Sequence, residues 1–241
     1  MDSRNKVTLE EAKKIEVKTQ DQAGSYKWKE EREWRLTASK FGEICRATEL
    51  RDMAKLAKTI LNPPHLTGEA VCYGRAQEAN AIKKFTEVTK LQVQKCGLFI
   101  DVEHGFIAGT PDGVIGQDTL LEVKCPYTNR KEKITHKSVP FLEEKDGGLK
   151  LKKLHPYFYQ VQGQMAICKK PQSYFVTFTL CDFHYELIKY DPEFYQQHMF
   201  PLLNDFYVKY YRPAIVKQLV KDKSDMSYYV KDESDESDME Y

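Results

Sequence analysis

The run Thr110-Pro-Asp-Gly-Val-Ile-Gly-Gln-Asp-Thr-Leu-Leu-Glu-Val-Lys-Cys-Pro126 constrains this chain more than any other. Val114-Ile115 and Leu120 to Lys124 are apolar and β-branched, and Gly116-Gln117-Asp118 between them has the make-up of a tight turn, so the run predicts a β-hairpin. Side chains alternate along a strand, which sets Glu122 and Lys124 on one face and Leu121 and Val123 on the other. One face can join a core only if the other finds partners for a carboxylate and an ammonium, because isolated charges are costly to bury.

Asp112 is the natural partner, since the hairpin can fold its carboxylate back toward Glu122. Two carboxylates that close repel unless a cation lies between them. Hard oxygen ligands suit Mg²⁺, with Mn²⁺ able to substitute, and such an ion keeps waters for chemistry on a phosphate. Lys124 beside it could orient or deprotonate one of those waters. Asp-Gly turns and Glu-x-Lys strand pairs are each common as plain structure. Pro-Asp, then nine residues, then Glu-Val-Lys on an apolar strand is a far narrower pattern.

That pattern resembles the PD-(D/E)xK nuclease superfamily. Arg35-Leu-Thr-Ala-Ser39, Gly74-Arg-Ala-Gln-Glu78, Thr110-Pro-Asp-Gly113, Leu121-Glu-Val-Lys-Cys-Pro126 and Tyr159-Gln-Val-Gln-Gly-Gln-Met165 follow one another in the order of its lambda-exonuclease-like, or YqaJ-type, viral recombinase members. The resemblance spans roughly residues 30 to 210. It implies a restriction-endonuclease-like α/β core, a central mixed sheet with helices on both faces.

Length and composition are compatible with an intracellular protein that has a polyanionic partner. At 241 residues the chain suits one domain with a core large enough to need no staples. Its six cysteines show no CxxC pair and no histidine at zinc-ligand spacing, which suggests reduced thiols. Its start is polar, and no apolar run reaches the length of a signal core or a membrane span, so a soluble protein of nucleus or cytoplasm is expected. Of 37 basic and 36 acidic residues, two and eight fall within 222–241, leaving the rest of the chain at +7. A basic body suits a polyanion, and the like-charge tail predicts disorder. The expected division is a polar segment 1–27, a nuclease domain 28–221 and an acidic tail 222–241.

Along the chain, Leu9 to Val17 predicts a short helix, and Trp28 to Trp34 a helix with two tryptophan anchors. Thr37 is placed to cap a helix carrying Phe41, Ile44 and Cys45 inward, with Ser39 in its first turn and Arg35 just outside. Read alone, this is an ordinary capped helix or an anion site; the resemblance implies that Arg35 and Ser39 grip a terminal 5′-phosphate. A second helix, about Gly68 to Thr89, places Glu78 beside the stripe of Ile82 and Phe85. Glu78 either reaches solvent or, as the resemblance implies, is a further metal carboxylate. Leu91 to Val102 and Gly105 to Thr110 have strand character. Residues 127–153 are lysine-rich around an Asp146-Gly-Gly148 loop, either a solvated connection or a DNA-facing one. His155 to Cys168 predicts a helix with Phe158, Val161, Met165 and Cys168 toward the core. By the resemblance, Gln162 bonds a phosphate oxygen or a metal-bound water, with Gln160 the weaker candidate. Ser173–Leu180 and Tyr185–Tyr190 predict a second hairpin, and Asp191-Pro-Glu193 opens an aromatic helix that Pro201 interrupts and that stops before Pro213.

Together these readings predict metal-dependent hydrolysis of DNA phosphodiester bonds. Catalysis falls to Asp112, Glu122, Lys124 and Gln162, and metal binding to Asp112, Glu122, the Val123 carbonyl and Glu78. Gripping a 5′ end makes the enzyme an exonuclease, and the resemblance implies 5′-to-3′ digestion of one strand at double-stranded DNA ends, a 3′ tail for a single-strand annealing partner, and a ring-like homo-oligomer. An endonuclease with the same core, or a non-catalytic DNA-end binding module, is the alternative; an RNA-directed nuclease is a third.

Overall fold

A computed structural model describes residues 5–63 and 68–220. The tail 222–241 and half of the Asn62-Pro-Pro-His65 break, residues 64 and 65, lie outside the described residues. Helices α1 (Leu9–Lys18), α2 (Tyr26–Glu33), α3 (Ala38–Cys45), α4 (Met53–Leu61), α5 (Glu69–Thr89), α6 (Pro156–Cys168) and α7 (Phe200–Phe206) surround three sheets. Strands β1 (Leu36–Thr37), β2 (Phe99–Ile100) and β3 (Ile107–Gly109) form one, in the order β1-β3-β2. Strands β4 (Gly113–Ile115), β5 (Thr119–Lys124), β8 (Gln172–Phe178) and β9 (Phe183–Lys189) form the central mixed sheet, in the order β4-β5-β8-β9. The third is a hairpin of β6 (Leu142–Lys145) and β7 (Gly148–Leu151).

The β4–β5 hairpin turns through Gly116 at φ 59°, a backbone state that glycine adopts without a Cβ clash. Strand alternation then dictates the layers. Leu121 and Val123 pack with Ala81 and Phe85 of α5 on one side of the sheet. Leu120 and Phe175 pack with Phe158, Val161 and Met165 of α6 on the other. A fully buried phenylalanine such as Phe85 contributes roughly 2–3 kcal/mol by area, so α5 and α6 are firmly seated against β5.

The helix α6 is not the half-exposed element that its apolar spacing predicts: every residue from Phe158 to Cys168 is buried. Its second face meets α3, where a Cβ on Gly163 would lie 2.4 Å from the Phe41 ring. Glutamines on such a helix cannot reach water and must find protein partners.

The expected strand 91–102 shrinks to β2, with only an isolated Gln94–Val114 bridge before it. The segment 127–153 contains the β6–β7 hairpin, turning through Asp146 (φ 53°) and Gly147 (φ 75°), the pair of positive φ values that an Asp-Gly turn supplies. Pro201 sits in the first turn of α7, and the chain stays helical through Pro213 to residue 220. π-helical turns at Phe194–Met199 and Tyr207–Tyr211 precede the two prolines, and widened turns accommodate a missing N–H donor. Segment 5–27 joins the core through Ala12 of α1, which packs with Leu98, Ile100 and Ala108. Among the described residues no helix is long and apolar enough to cross a membrane.

Candidate active site

A cleft of about 390 Å³ opens where the C-terminal end of β5 meets α5 and the start of α6. Glu78, Asp112, Glu122, Val123 and Lys124 line it, together with Val71, Gly74, Cys125, Pro126, Phe141 and Tyr157. The hairpin and α5 therefore deliver the predicted acids and the lysine to one place.

The hairpin fixes Asp112 through backbone pairing: its N–H donates to Leu121 O at 3.0 Å, and its Oδ2 accepts from Val123 N–H at 2.6 Å. Burial, then repulsion from Glu122 and Glu78, pushes the Asp112 carboxyl well above the usual carboxylate range. Glu78 is raised as well, by burial first and Glu122 second, with Lys124 opposing.

Lys124 Nζ donates to Glu122 Oε1 at 2.6 Å and to Gln160 Oε1 at 3.2 Å, and lies 4.5 Å from the centre of the Tyr157 ring. Burial alone would lower its pKa, but Glu122 and Asp112 outweigh burial and raise it. Held by Glu122 and Gln160 in the cleft that it lines, the Lys124 ammonium can orient a water and offset negative charge.

The glutamine assignment needs correction. Gln160 Nε2 donates to Glu122 Oε1 at 2.6 Å, and Gln164 Nε2 donates to Glu122 Oε2 at 2.7 Å and to Thr110 O at 3.2 Å. Gln162 points elsewhere: its Nε2 donates to Lys189 O and its Oε1 accepts from Asp191 N–H, so it ties α6 to the end of β9. The pattern of positions holds the signal, because residues four apart share a helix face while the one midway points about 200° away.

Arg35 also departs from expectation. It is buried, with Nε donating to Gly105 O at 2.9 Å and Nη1 to the Glu31 carboxylate at 2.5 Å, so its fork is spent inside the protein. Ser39 is exposed, its Oγ 3.2 Å from Thr37 Oγ1, in the first turn of α3. Of Arg32 and Arg35, it is Arg32 that no carboxylate holds. Its guanidinium stacks 4.0 Å from the Trp28 ring centre and reaches Thr110 Oγ1 at 3.5 Å, and burial lowers its pKa to about 10. No acidic side chain pairs with it among the described residues. β1 runs parallel to β3 with Thr37 opposite Ala108, so Ser39 and Thr110 leave the sheet at the same end. Sequence order hid this, because Glu31, one helical turn back, captures the arginine nearer to Ser39.

Among the described residues no three His, Cys, Asp or Glu side chains are gathered closely enough to hold a metal ion as they stand. Glu122 spends both oxygens on Lys124, Gln160 and Gln164. The donor chemistry still fits a hard divalent cation, since Asp112, Glu122 and Glu78 repel one another in a partly buried cleft and only a proton or a cation relieves that.

Residues 27–171 match the YqaJ-like viral recombinase domain. No curated protein matches the chain. Among solved structures it is similar to the alkaline exonuclease LHK-Exo from Laribacter hongkongensis, with a TM-score of 0.59 and 20% identity over 81% of this chain and 96% of that one. It is similar to a phage-related exonuclease from Haemophilus somnus 129PT, with a TM-score of 0.54 and 18% identity over 76% and 96%. A SOX–DNA complex shares 11% identity at a TM-score of 0.55 over 83% and 70%. At these identities the likeness is one of fold.

Proposed function

The chain belongs to the YqaJ-like viral recombinase family, and we propose that it is a divalent-metal-dependent exonuclease acting 5′ to 3′ on double-stranded DNA ends in recombination or DNA processing. The observation that carries this reading is the convergence of Asp112, Glu122 and Lys124 from one hairpin with Glu78 from α5 in a single cleft. Solved structures of similar fold, named as exonucleases or held in complex with DNA, support it.

Asp112, Glu122, the Val123 carbonyl and Glu78 would hold Mg²⁺, or Mn²⁺ in its place. The ion supplies charge neutralisation at the phosphate and a more acidic bound water. The chain's own residues do the rest. Gln160 and Gln164 fix both oxygens of Glu122, and Gln160 with Tyr157 fixes Lys124. Lys124 directs a water toward phosphorus and offsets the charge that develops as the bond to the leaving oxygen breaks. Arg32 in place of Arg35, with Ser39 and the free N–H groups that open α3, would grip a 5′-phosphate. That grip distinguishes an exonuclease from an endonuclease with the same core.

Incubating linear duplex DNA, with and without a 5′-phosphate, in Mg²⁺ or EDTA tests this. Loss of linear DNA only with Mg²⁺, faster from the phosphorylated end and absent in Asp112→Ala, is expected. Cutting of closed circular DNA at a comparable rate would replace the exonuclease with an endonuclease.

A further inference from the structure

The segment between the two walls of the cleft carries charge that the catalytic reading does not use. It leaves the cleft at Pro126, returns at Phe141 and reaches it again at Tyr157, all three of which line it. Residues 127–153 hold eight basic and four acidic side chains.

A solvated connection would be loosely held, and this one is pinned. Leu180 N–H donates to Arg130 O at 2.8 Å, Thr179 Oγ1 to Glu132 O at 2.8 Å, and Ile134 N–H to Asp182 Oδ2 at 2.9 Å. Ile134 and Val139 are buried in the core beneath. These anchors sit in the β8–β9 turn. Because β5 and β8 run parallel, with Lys124 opposite Thr177, that turn lies at the same end of the sheet as the cleft. With Ile134 and Val139 pointing inward, Lys131, Lys133 and Lys137 are exposed, and among the described residues none pairs with an acid.

We propose that Lys131, Lys133 and Lys137 form a fixed rail that binds the phosphate backbone of the duplex flanking the cleft. The inference rests on the nuclease reading for its substrate but not for its surface. Ammonium groups carried at one edge on a pinned backbone suit a regularly spaced polyanion, whose binding releases counterions. A duplex fits better than a single strand, which is held by aromatic platforms interleaved with basic residues. The aromatic residues of this segment are occupied: Phe141 is buried, and Tyr127 is engaged by Tyr73 and Arg130.

The test compares the full chain with K131Q/K133Q/K137Q, binding labelled blunt duplex in EDTA over a salt series. Each lost phosphate contact reduces the slope of log K against log salt by roughly 0.9, so a slope shallower by about 2 to 3 is expected. Hydrolysis of a small phosphodiester such as bis(p-nitrophenyl) phosphate in Mg²⁺ should be unchanged, since no catalytic side chain is altered. An unchanged slope overturns the rail, and an equal loss for a single-stranded oligonucleotide overturns the duplex assignment. If the triple variant fails to fold, the three single exchanges must each reduce the slope by about 1, and three unchanged slopes overturn the rail. Wild-type protein that binds duplex through these lysines but cleaves nothing in any divalent ion would leave the rail standing and remove the nuclease.

Discussion

Gln160 of α6 donates its amide to Glu122 of β5 at 2.6 Å while its carbonyl accepts from Lys124 at 3.2 Å. One neutral side chain thus holds both charged members of the strand, on the face that alternation assigns them. Gln160→Leu should leave the lysine and the carboxylate free to swing without opening the fold. We expect kcat to fall about 10- to 100-fold, or ~1.4–2.7 kcal/mol of transition-state stabilisation, with little change in KM for DNA. Single-turnover rates at saturating Mg²⁺ check this, and a loss confined to KM would show that Gln160 contacts substrate instead.

Gln162→Leu should do the reverse. Its amide bridges Lys189 O and Asp191 N–H inside the protein, and losing it strands a backbone donor and a backbone acceptor. Stability should drop by about 1–3 kcal/mol, seen as a lower urea midpoint, while activity per folded molecule stays near wild type. Loss of activity without loss of stability would return Gln162 to the catalytic set.

The contrast between these glutamines shows how far the sequence could be read. The β4–β5 hairpin follows from its glycine turn and alternating side chains, since both are local. The opposed directions of Gln160 and Gln162 were also in principle readable, because α-helix geometry fixes which positions share a face. That all three glutamines would be buried was not, because burial on both sides of α6 depends on α3 arriving from residues 38–45. The arrival of Glu78 beside the hairpin is of the same kind: periodicity marks it as bordering a buried stripe, and only the packing of Phe85 and Ala81 against β5 brings it to the cleft. The β6–β7 hairpin was missed although Asp146-Gly147 is a strong turn signal, because its flanking strands are rich in Lys and Glu rather than in β-branched residues.

Arg32 and Arg35 should separate cleanly. Arg35→Ala breaks a buried pair, takes the donor from the Gly105 carbonyl and leaves Glu31 with Lys27 as its counter-charge, so about 1–3 kcal/mol of stability should be lost. Arg32→Ala removes a guanidinium that no acid holds, so the fold should tolerate it better. What should disappear is the preference for a 5′-phosphorylated end, read as the ratio of kcat/KM on phosphorylated and hydroxyl-ended duplex. A preference retained in Arg32→Ala and lost in a folded Arg35 variant would reverse the assignment.

His155 carries the pH dependence that the fold predicts. It caps α6, its Nδ1 accepting from Tyr157 N–H at 3.2 Å, so the cap exists only while that nitrogen is unprotonated. Burial, then the charges of Arg46, Lys152 and Lys124, lowers its pKa from the ordinary 6.5 to about 4. A base with a depressed folded-state pKa binds protons more readily when unfolded, so its contribution is complete above pH 6.5 and is lost as the pH falls toward 4. Discounted for its partial exposure, that contribution is on the order of 1–2 kcal/mol. His155→Asn keeps a capping oxygen and removes the titration. Urea midpoints measured between pH 7 and pH 4 should therefore fall less steeply for the variant than for wild type, and parallel curves would mean that other groups set the acid limit.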